Sequence, residues 1–442
     1  MFSTADTIVA IATPAGRGAI GIVRLSGPDS QSIAAQILSR REPLPPRVVT
    51  LARFAGEGVS DQVVAVLFAA PASYTGDDVV EISAHGSNVV LESIVRAAIS
   101  KGARLARPGE FTLRAFINGK IDLPQAEAVA DLVDAVTPLQ ARTAFDLLNG
   151  GLSTTITELH ADLFGLIAKL EASIDFPDEG YHFATADDVE RTLADLCRRI
   201  SCLVSGSRTG RLIRSGARVA ILGPPNAGKS RLFNALVGAN RAIVSPTAGT
   251  TRDLITETVE MSGIPITLVD TAGLREADDD VEHEGIARAR SAGNDADVVL
   301  MVIDGSAPLP ADINIDARTI LIANKCDLPR YRERAGALRV SAETGEGLAE
   351  LNQRVSQALL FGEDKPKDTV SLCNLRHEVL LRKAGGLLES ALAEVRRVGA
   401  AAWEDLLLVD LQEARGLLEE VAGRRTADDV LTEIFSRFCI GK

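Results

Sequence analysis

Residues Gly223-Pro224-Pro225-Asn226-Ala227-Gly228-Lys229-Ser230 have the spacing G-x-x-x-x-G-K-[ST]. In such a run the glycines let successive backbone N–H groups face phosphate oxygens. Lys229 adds a point charge at the β/γ-phosphates, and Ser230 offers a hydroxyl to Mg2+. The motif stands between an apolar run, 218–222, and helical spacing over 232–236. That context predicts a phosphate cradle at the N-terminus of a helix, where the dipole favours negative charge.

Three further elements follow in order. The apolar run 264–269 ends in Asp270-Thr271-Ala272-Gly273, a Walker-B-like element in which the carboxylate reaches the Mg2+ shell and Gly273 approaches the γ-phosphate. The buried-strand runs 298–303 and 319–323 come next, the second closing on Asn324-Lys325-Cys326-Asp327. A carboxylate at Asp327 accepts both the ring N–H and the exocyclic amine of guanine, so the reading is GTP rather than ATP. Ser341-Ala342, closing the run 338–340, supplies a backbone donor for the guanine carbonyl. The stretch Ala248-Gly249-Thr250-Thr251-Arg252-Asp253 lies between the phosphate loop and the Asp270 strand, where Thr251 joins Ser230 in holding Mg2+. The expected GTP contacts are Asn226, Ala227, Gly228, Lys229, Ser230, Arg231, Ser245, Pro246, Thr247, Ala248, Gly249, Thr250, Thr251, Asp270, Thr271, Ala272, Gly273, Asn324, Lys325, Asp327, Ser341, Ala342 and Glu343.

Ras-like enzymes orient the attacking water with a glutamine directly after the D-x-x-G glycine, but Leu274 stands there. A hydrocarbon side chain does not polarise water. The acidic stretch Glu276, Asp278, Asp279, Asp280, Glu282, Glu284 follows, and composition alone reads it as a solvated loop. Arg275 could stabilise charge, although its spacing does not assign it that role.

A chain of 442 residues with 46% hydrophobic content predicts about three packed domains. It contains no apolar run of membrane-spanning length and no targeting pattern at its N-terminus, so a soluble, cytoplasmic protein without membrane contact is expected. Cys197, Cys202, Cys326, Cys373 and Cys439 form no C-x-x-C pair, which predicts reduced thiols. The net charge of −13 opposes general coating of nucleic acid, leaving any RNA contact local or partner-assisted. Pattern shifts divide the chain into a small α+β domain (1–118), a helical region (119–212), an alternating βα nucleotide domain (213–360) and a second helical region (361–442). Neither helical block has a complete core alone. Their simplest packing joins them and makes the nucleotide domain an insertion. Trp403 reads as helical core.

End to end, the chain resembles the MnmE (TrmE) family of tRNA modification GTPases. The resemblance rests on Ala12-Thr13-Pro14-Ala15-Gly16-Arg17-Gly18 with Arg24 beyond, Ser73-Tyr74-Thr75-Gly76-Asp77-Asp78, Arg107-Pro108-Gly109-Glu110-Phe111-Thr112, Asn118-Gly119-Lys120-Ile121-Asp122-Leu123, and the C-x-G-K tail Cys439-Ile440-Gly441-Lys442. It implies a multidomain α/β and α+β fold: an N-terminal folate-binding-like domain, a helical domain, and an inserted Ras-like P-loop GTPase domain. It also implies a homodimer that works with an FAD-dependent partner, MnmG or GidA, in a heterotetramer-type complex. Together they build an aminomethyl-type or carboxymethylaminomethyl substituent on carbon 5 of the wobble uridine of certain tRNAs. A tetrahydrofolate derivative supplies the one-carbon unit, and FAD belongs to the partner only.

Residue by residue, the resemblance places folate contacts at Arg24, Glu81, Lys120 and Lys442. Taken singly, Arg24 and Glu81 read as exposed-face charges and Lys120 as a solvated turn residue. The family uses K+ in place of an arginine finger, with ligands matching Asn226, Ser245, Thr247 and Thr250, and orients water with the glutamate matching Glu282. Arg252 and Asp253 would order the switch when two nucleotide domains face each other. Cys439 reads singly as a small packing residue, and the tail motif adds a functional reading without assigning it a step. Two rivals share the GTPase motifs: a ribosome-assembly switch, which calls for a basic RNA-binding appendage not found here, and a scaffold timed by GTP, which the sequence leaves open.

Overall fold

The computed structural model describes residues 5–56, 58–175, 185–242, 255–270, 293–308, 315–359, 372–398, 404–436 and 438–441. The chain divides into two compact units, one of residues 1–130, 147–183 and 404–442, the other of residues 131–146 and 184–403.

In the first unit, β1 (Ile8–Ile11), β2 (Ile20–Ser26), β3 (Thr50–Gly56), β4 (Val59–Phe68), β5 (Val79–His85) and β6 (Arg104–Leu105) form one sheet in the order β3-β4-β5-β2-β1-β6. All pairs are antiparallel except β1 with β6. Side chains alternate between faces. Val9, Val23, Leu25, Val80 and Ile82 therefore enter one core together with side chains of α1 (Ser30–Ile37) and α2 (Asn88–Ser100). Arg24 and Glu81 fall on the opposite face as direct cross-strand partners. There α3 (Glu110–Ile117) lays Phe111 against Ile8 and Ala10.

Helix α4 (Leu123–Asp134) starts in this unit, followed after α5 (Pro138–Leu148) by α6 (Gly151–Asp175), whose Leu159, Leu163, Leu166 and Leu170 are buried. The last helices of the chain are α12 (Glu404–Val421), which packs along α6, and α13 (Asp428–Ser436), whose Leu431 and Phe435 join Phe438 against Leu113 and Leu123. Gly109 turns into α3 at φ +66°, and a Cβ there would stand 2.7 Å from the Phe435 carbonyl oxygen.

A charge cluster, buried at Arg114 and Glu110 and open to solvent at Asp6 and Arg104, ties this unit together. Arg114 is 1% exposed and meets Asp6 at 2.7 Å and Glu110 at 3.5 Å, while Arg104 bridges the same two carboxylates at 2.7 and 2.6 Å. The Arg104 hydrogen bond, outweighing partial burial, holds the Asp6 carboxyl below its ordinary value. Burial raises the Glu110 carboxyl, but hydrogen bonds from Arg104 and the Arg107 N–H outweigh it, so Glu110 also lies low. A depressed carboxyl stabilises the fold above its unfolded pKa of about 4, and that contribution is lost as pH falls through the folded value. The melting temperature of the first unit should therefore drop as pH is lowered below about 4. Glu110→Gln should make the pH slope shallower in a circular-dichroism melting series, and an unchanged slope would remove the cluster from the account.

The second unit holds α7 (Ala186–Ser205), α8 (Ser207–Ser215), most of α5, and a seven-stranded sheet. Its elements are β7 (Ala217–Leu222), α9 (Lys229–Ala239), β8 (Arg241–Ala242), β9 (Ile255–Met261), β10 (Ile264–Asp270), β11 (Val298–Asp304), β12 (Thr319–Asn324), β13 (Leu338–Arg339) and α10 (Leu348–Leu359). α11 (Leu375–Val398) packs along α7. The order β13-β12-β11-β7-β10-β9-β8 is parallel from β13 to β10, with β9 and β8 antiparallel beyond. Parallel strands are covered on both faces and read as continuous apolar runs, as β11 shows: Val298, Leu300 and Val302 enter one core with Val219 and Ile221, while Val299 packs with Ala220 and Ala296 on the other face. After β7 the chain adds β10 on one side and later β11 on the other. That reversal opens a crevice at the carboxyl end of β7, the position where ligands bind in open α/β sheets.

No helix among the described residues is long and apolar enough to cross a membrane.

Candidate functional site

The phosphate-loop motif occupies that crevice. β7 ends at Leu222, the loop follows, and α9 begins at Lys229 with its first N–H groups facing the loop. The turn needs residues that tolerate positive φ: Asn226 at +61° and Gly228 at +92°. Gly223, at φ +143°, crosses so near β11 that a Cβ would lie 2.1 Å from the Val302 carbonyl oxygen. The Lys229 Nζ donates to the carbonyl oxygens of Gly223 and Pro224, both at 2.9 Å, so the ammonium closes the loop on itself. Asn226 and Ser230 stand at the mouth of the loop, both exposed.

The other strands deliver their ends to the same edge. Asp270 closes β10 and is 1% exposed. Asn324 closes β12, donates through Nδ2 to the Ala227 carbonyl at 2.9 Å and accepts at Oδ1 from the Ala342 N–H at 3.1 Å. This one buried amide ties the loop after β7 to the segment at Ala342. Ser341 donates to Asp327 Oδ1 at 2.6 Å, orienting that carboxylate. The Arg231 and Glu343 side chains form an exposed ion pair at 3.0 Å.

Lys325, in the left-handed region at φ +67°, sends Nζ to Asp304 Oδ2 at 2.6 Å. Burial raises Asp304, but hydrogen bonds from Lys325 and Ser306 outweigh it and leave the carboxyl below its ordinary range. Motif reading does not find Asp304. Its available signal is an aspartate closing the buried run of β11 at the ligand edge. Gly228 lacks the Cβ that would meet Asn324 Nδ2 at 2.3 Å, so the loop can lie against that amide, and the Ser230 hydroxyl and Asp270 carboxylate are oxygens of the hard kind that Mg2+ takes.

Ser245, Pro246, Thr247, Ala248, Gly249, Thr250, Thr251, Arg252, Asp253, Thr271, Ala272, Gly273, Glu282 and Lys442 lie outside the described residues, as does Trp403.

In the first unit, Arg24 and Glu81 meet. Arg24 Nε donates to Glu81 Oε1 at 2.9 Å, Nη2 stands 2.8 Å from the same oxygen, and Nη1 donates to the Gly441 carbonyl at 3.2 Å. The guanidinium lies 5.6 Å from the ring centre of Tyr74 and 5.7 Å from that of Phe111. Neither ring stands out by sequence spacing. Burial raises the Tyr74 phenol, opposed by its 2.9 Å hydrogen bond with Thr112. Lys120 Nζ donates to the Pro71 carbonyl at 3.0 Å, and its stem packs over Gly76. Cys439 is exposed, and its carbonyl accepts from the Gly109 N–H at 3.4 Å. Arg24 and Glu81 therefore read as neither isolated nor idle. Each remains about a quarter exposed at its side chain, leaving donors and acceptors for a polar ring with amide-like edges.

Models of two families match the chain: the MnmE helical domain over residues 123–439 and the GTP-binding protein TrmE N-terminus over residues 7–120. The chain is 43% identical over 455 residues to a protein of Koribacter versatilis (strain Ellin345) named tRNA modification GTPase MnmE, covering 99% of each. It is 43% identical over 447 residues to a Thermus thermophilus protein of the same name, again with 99% of each covered. Among solved structures, the G domain of the T. maritima FeoB iron transporter matches at 30% identity, TM-score 0.26, over 32% of this chain and 98% of that one. A variant of Aquifex aeolicus Era bound to GDP.AlF4- matches at 28% identity, TM-score 0.25, over 39% of this chain and 67% of that one.

Proposed function

The chain belongs to the MnmE family of tRNA modification GTPases, and from that premise we propose a K+-stimulated enzyme that hydrolyses GTP and thereby drives wobble-uridine modification. The observation carrying the GTP half is the convergence of the phosphate loop, Asp270, Asn324 and Asp327 on one sheet edge, with Asn324 joining loop to loop. Hydrolysis is phosphoryl transfer: water oxygen bonds the γ-phosphorus, the bond to the β-bridging oxygen breaks, and GDP leaves with phosphate. Lys229 and the loop N–H groups hold the phosphates, Ser230, Thr251 and Asp270 would hold Mg2+, and Asp327 with Ala342 reads guanine.

Asn226, Ser245, Thr247 and Thr250 would hold K+, which would supply positive charge to the phosphates during transfer. Glu282 orients the water that Leu274 leaves unaddressed. In the first unit Arg24, Glu81, Lys120 and Lys442 would hold a tetrahydrofolate derivative, the source of the one-carbon unit. The working assembly is a cytoplasmic homodimer with the FAD-dependent MnmG/GidA and tRNA, forming an aminomethyl or carboxymethylaminomethyl group at carbon 5.

GTP turnover in K+ against Na+ tests the catalytic half. Turnover should be markedly faster in K+, and Glu282→Ala should lower it roughly 10²-fold. Equal rates throughout would remove both the cation and the water-orienting roles. Nucleoside analysis of tRNA from a deletion strain tests the other half, because unchanged wobble uridines would end the modification reading.

The folate assignment has its own readout. Glu81→Gln and Arg24→Ala each remove a charged hydrogen-bonding group, a loss of about 1.5–3 kcal/mol. Calorimetric titration with 5-formyltetrahydrofolate should show affinity at least about tenfold weaker in each variant, and wild-type affinity in both would withdraw these residues.

A further inference from the structure

The start of α5 is a capping box with its spare donors turned outward. Gln140 N–H donates to Thr137 Oγ1 at 3.2 Å, while Gln140 Oε1 accepts from the Thr137 N–H at 3.1 Å and the Val136 N–H at 2.9 Å. These bonds satisfy the helix end. Two donors then remain, and each is used on a different segment. Thr137 Oγ1 donates to the Gly263 carbonyl at 2.7 Å, and Gln140 Nε2 donates to the Arg214 carbonyl at 2.9 Å. Asp131, just before the box, takes Arg214 Nε at 2.7 Å. Thr137 and Gln140 are only 3% and 9% exposed, so these are dry contacts.

Both gripped carbonyls sit at the roots of nucleotide-bearing strands. Gly263 and Ser262, at φ +83° and +54°, form the two-residue turn from β9 into β10. A Cβ at Gly263 would lie 3.0 Å from Leu139, so α5 seats on that turn closely enough to require glycine. Arg214 lies in the last turn of α8, just before the Gly216 N–H donates to the Leu212 carbonyl and the chain enters β7. β7 and β10 are hydrogen-bonded neighbours running parallel from this clamp. One ends at the phosphate loop and the other at Asp270. The clamped residues 131–146 belong to the second unit, and the chain on both sides, through Ala130 and from Leu147, belongs to the first.

Resting on the GTP reading above, we propose that the Thr137–Gln140 clamp is a positioning device that passes the nucleotide state of β7 and β10 to α5, and so along the chain to the folate-bearing unit. Strands bonded side by side transmit axial shifts as rigid rods. The clamp grips one carbonyl at the root of each, so a change at their tips reaches α5 as a change in two buried hydrogen bonds.

Backbone amide exchange on the full-length chain tests this, with Mg2+ and the non-hydrolysed analogue guanosine β,γ-imidotriphosphate as probe. In the wild type, peptides over 223–231 and over 137–146 should both slow at least threefold on adding the analogue. Gln140→Glu keeps the oxygen that accepts from Thr137 and Val136 and replaces the donor to Arg214 with an oxygen that the Arg214 carbonyl repels. Its nucleotide-free exchange over 138–148 should match the wild type and its 223–231 response should persist, while the 137–146 response disappears. Protection of 223–231 with no response over 137–146 in the wild type would overturn the clamp alone, as would a Gln140→Glu chain that responds fully. Absence of protection at 223–231 in the wild type would overturn the GTP reading and the clamp together.

Discussion

Asp327→Asn is expected to change which base the chain reads, weakening guanine nucleotides by about 10²–10⁴-fold while admitting xanthine nucleotides. In the proposed reading the carboxylate accepts two guanine N–H groups at once, each a charge-assisted bond of about 1.5–3 kcal/mol. Ser341 decides how the substituted amide would sit. Its hydroxyl donates to Asp327 Oδ1 at 2.6 Å, so the amide oxygen takes that place and the amide NH2 turns toward the base. There it opposes the exocyclic amine of guanine donor to donor, whereas xanthine carries a carbonyl at the same carbon and accepts. Fluorescent GDP and XDP titrations check the exchange. Retained GDP affinity with no gain for XDP would show that the base is read elsewhere. Because Ser341 keeps a partner, the melting temperature should stay close to that of the wild type, separating lost recognition from lost fold.

What could be read in the chain follows from how each element is covered. The runs 264–269, 298–303 and 319–323 are recognisable because β10 and β11 are interior strands buried along nearly their whole length and β12 along its second half, and burial makes their composition continuous. β3 offers no such signal: Leu51 is 70% exposed, and an arginine and a threonine share its few positions. β9 alternates Thr and Glu with apolar residues at the sheet's antiparallel margin and carries too few of them to stand out. For the site, motif spacing identifies residues whose work is with the ligand. It says nothing of those that work on one another. The Arg24–Glu81 pair depends on the β2–β5 register across 57 positions, and Tyr74 and Phe111 come under Arg24 only once α3 is laid on the sheet. The Thr137–Gln140 box is visible only in the structure, and its outward donors acquire meaning at the turn into β10 and the end of α8.

Gly228→Ala should abolish nucleotide binding at the phosphate loop, by a route distinct from loss of any ligand-contacting side chain. The position stands at φ +92°, where an L side chain is strained by about 1–3 kcal/mol, and the new methyl carbon would be placed 2.3 Å from Asn324 Nδ2. Asn324 has little room to yield. It is 2% exposed and spends Nδ2 on Ala227 and Oδ1 on Ala342, so moving it breaks the tie between the phosphate and base-reading loops and leaves buried polar groups unpaired. The expected outcome is a GDP affinity reduced by at least about 10³-fold together with roughly 2–4 kcal/mol of lost stability in the second unit. Gly238→Ala is the matched control, being a helical glycine in α9 with no atom within 4 Å of an added Cβ and no positive φ. That substitution should raise stability by about 0.5–1 kcal/mol and leave binding intact. Thermal melts with parallel GDP titrations of the two variants therefore isolate backbone geometry from side-chain chemistry. A Gly228→Ala chain that binds GDP like the wild type would mean that the turn at Gly228 does not form the phosphate cradle.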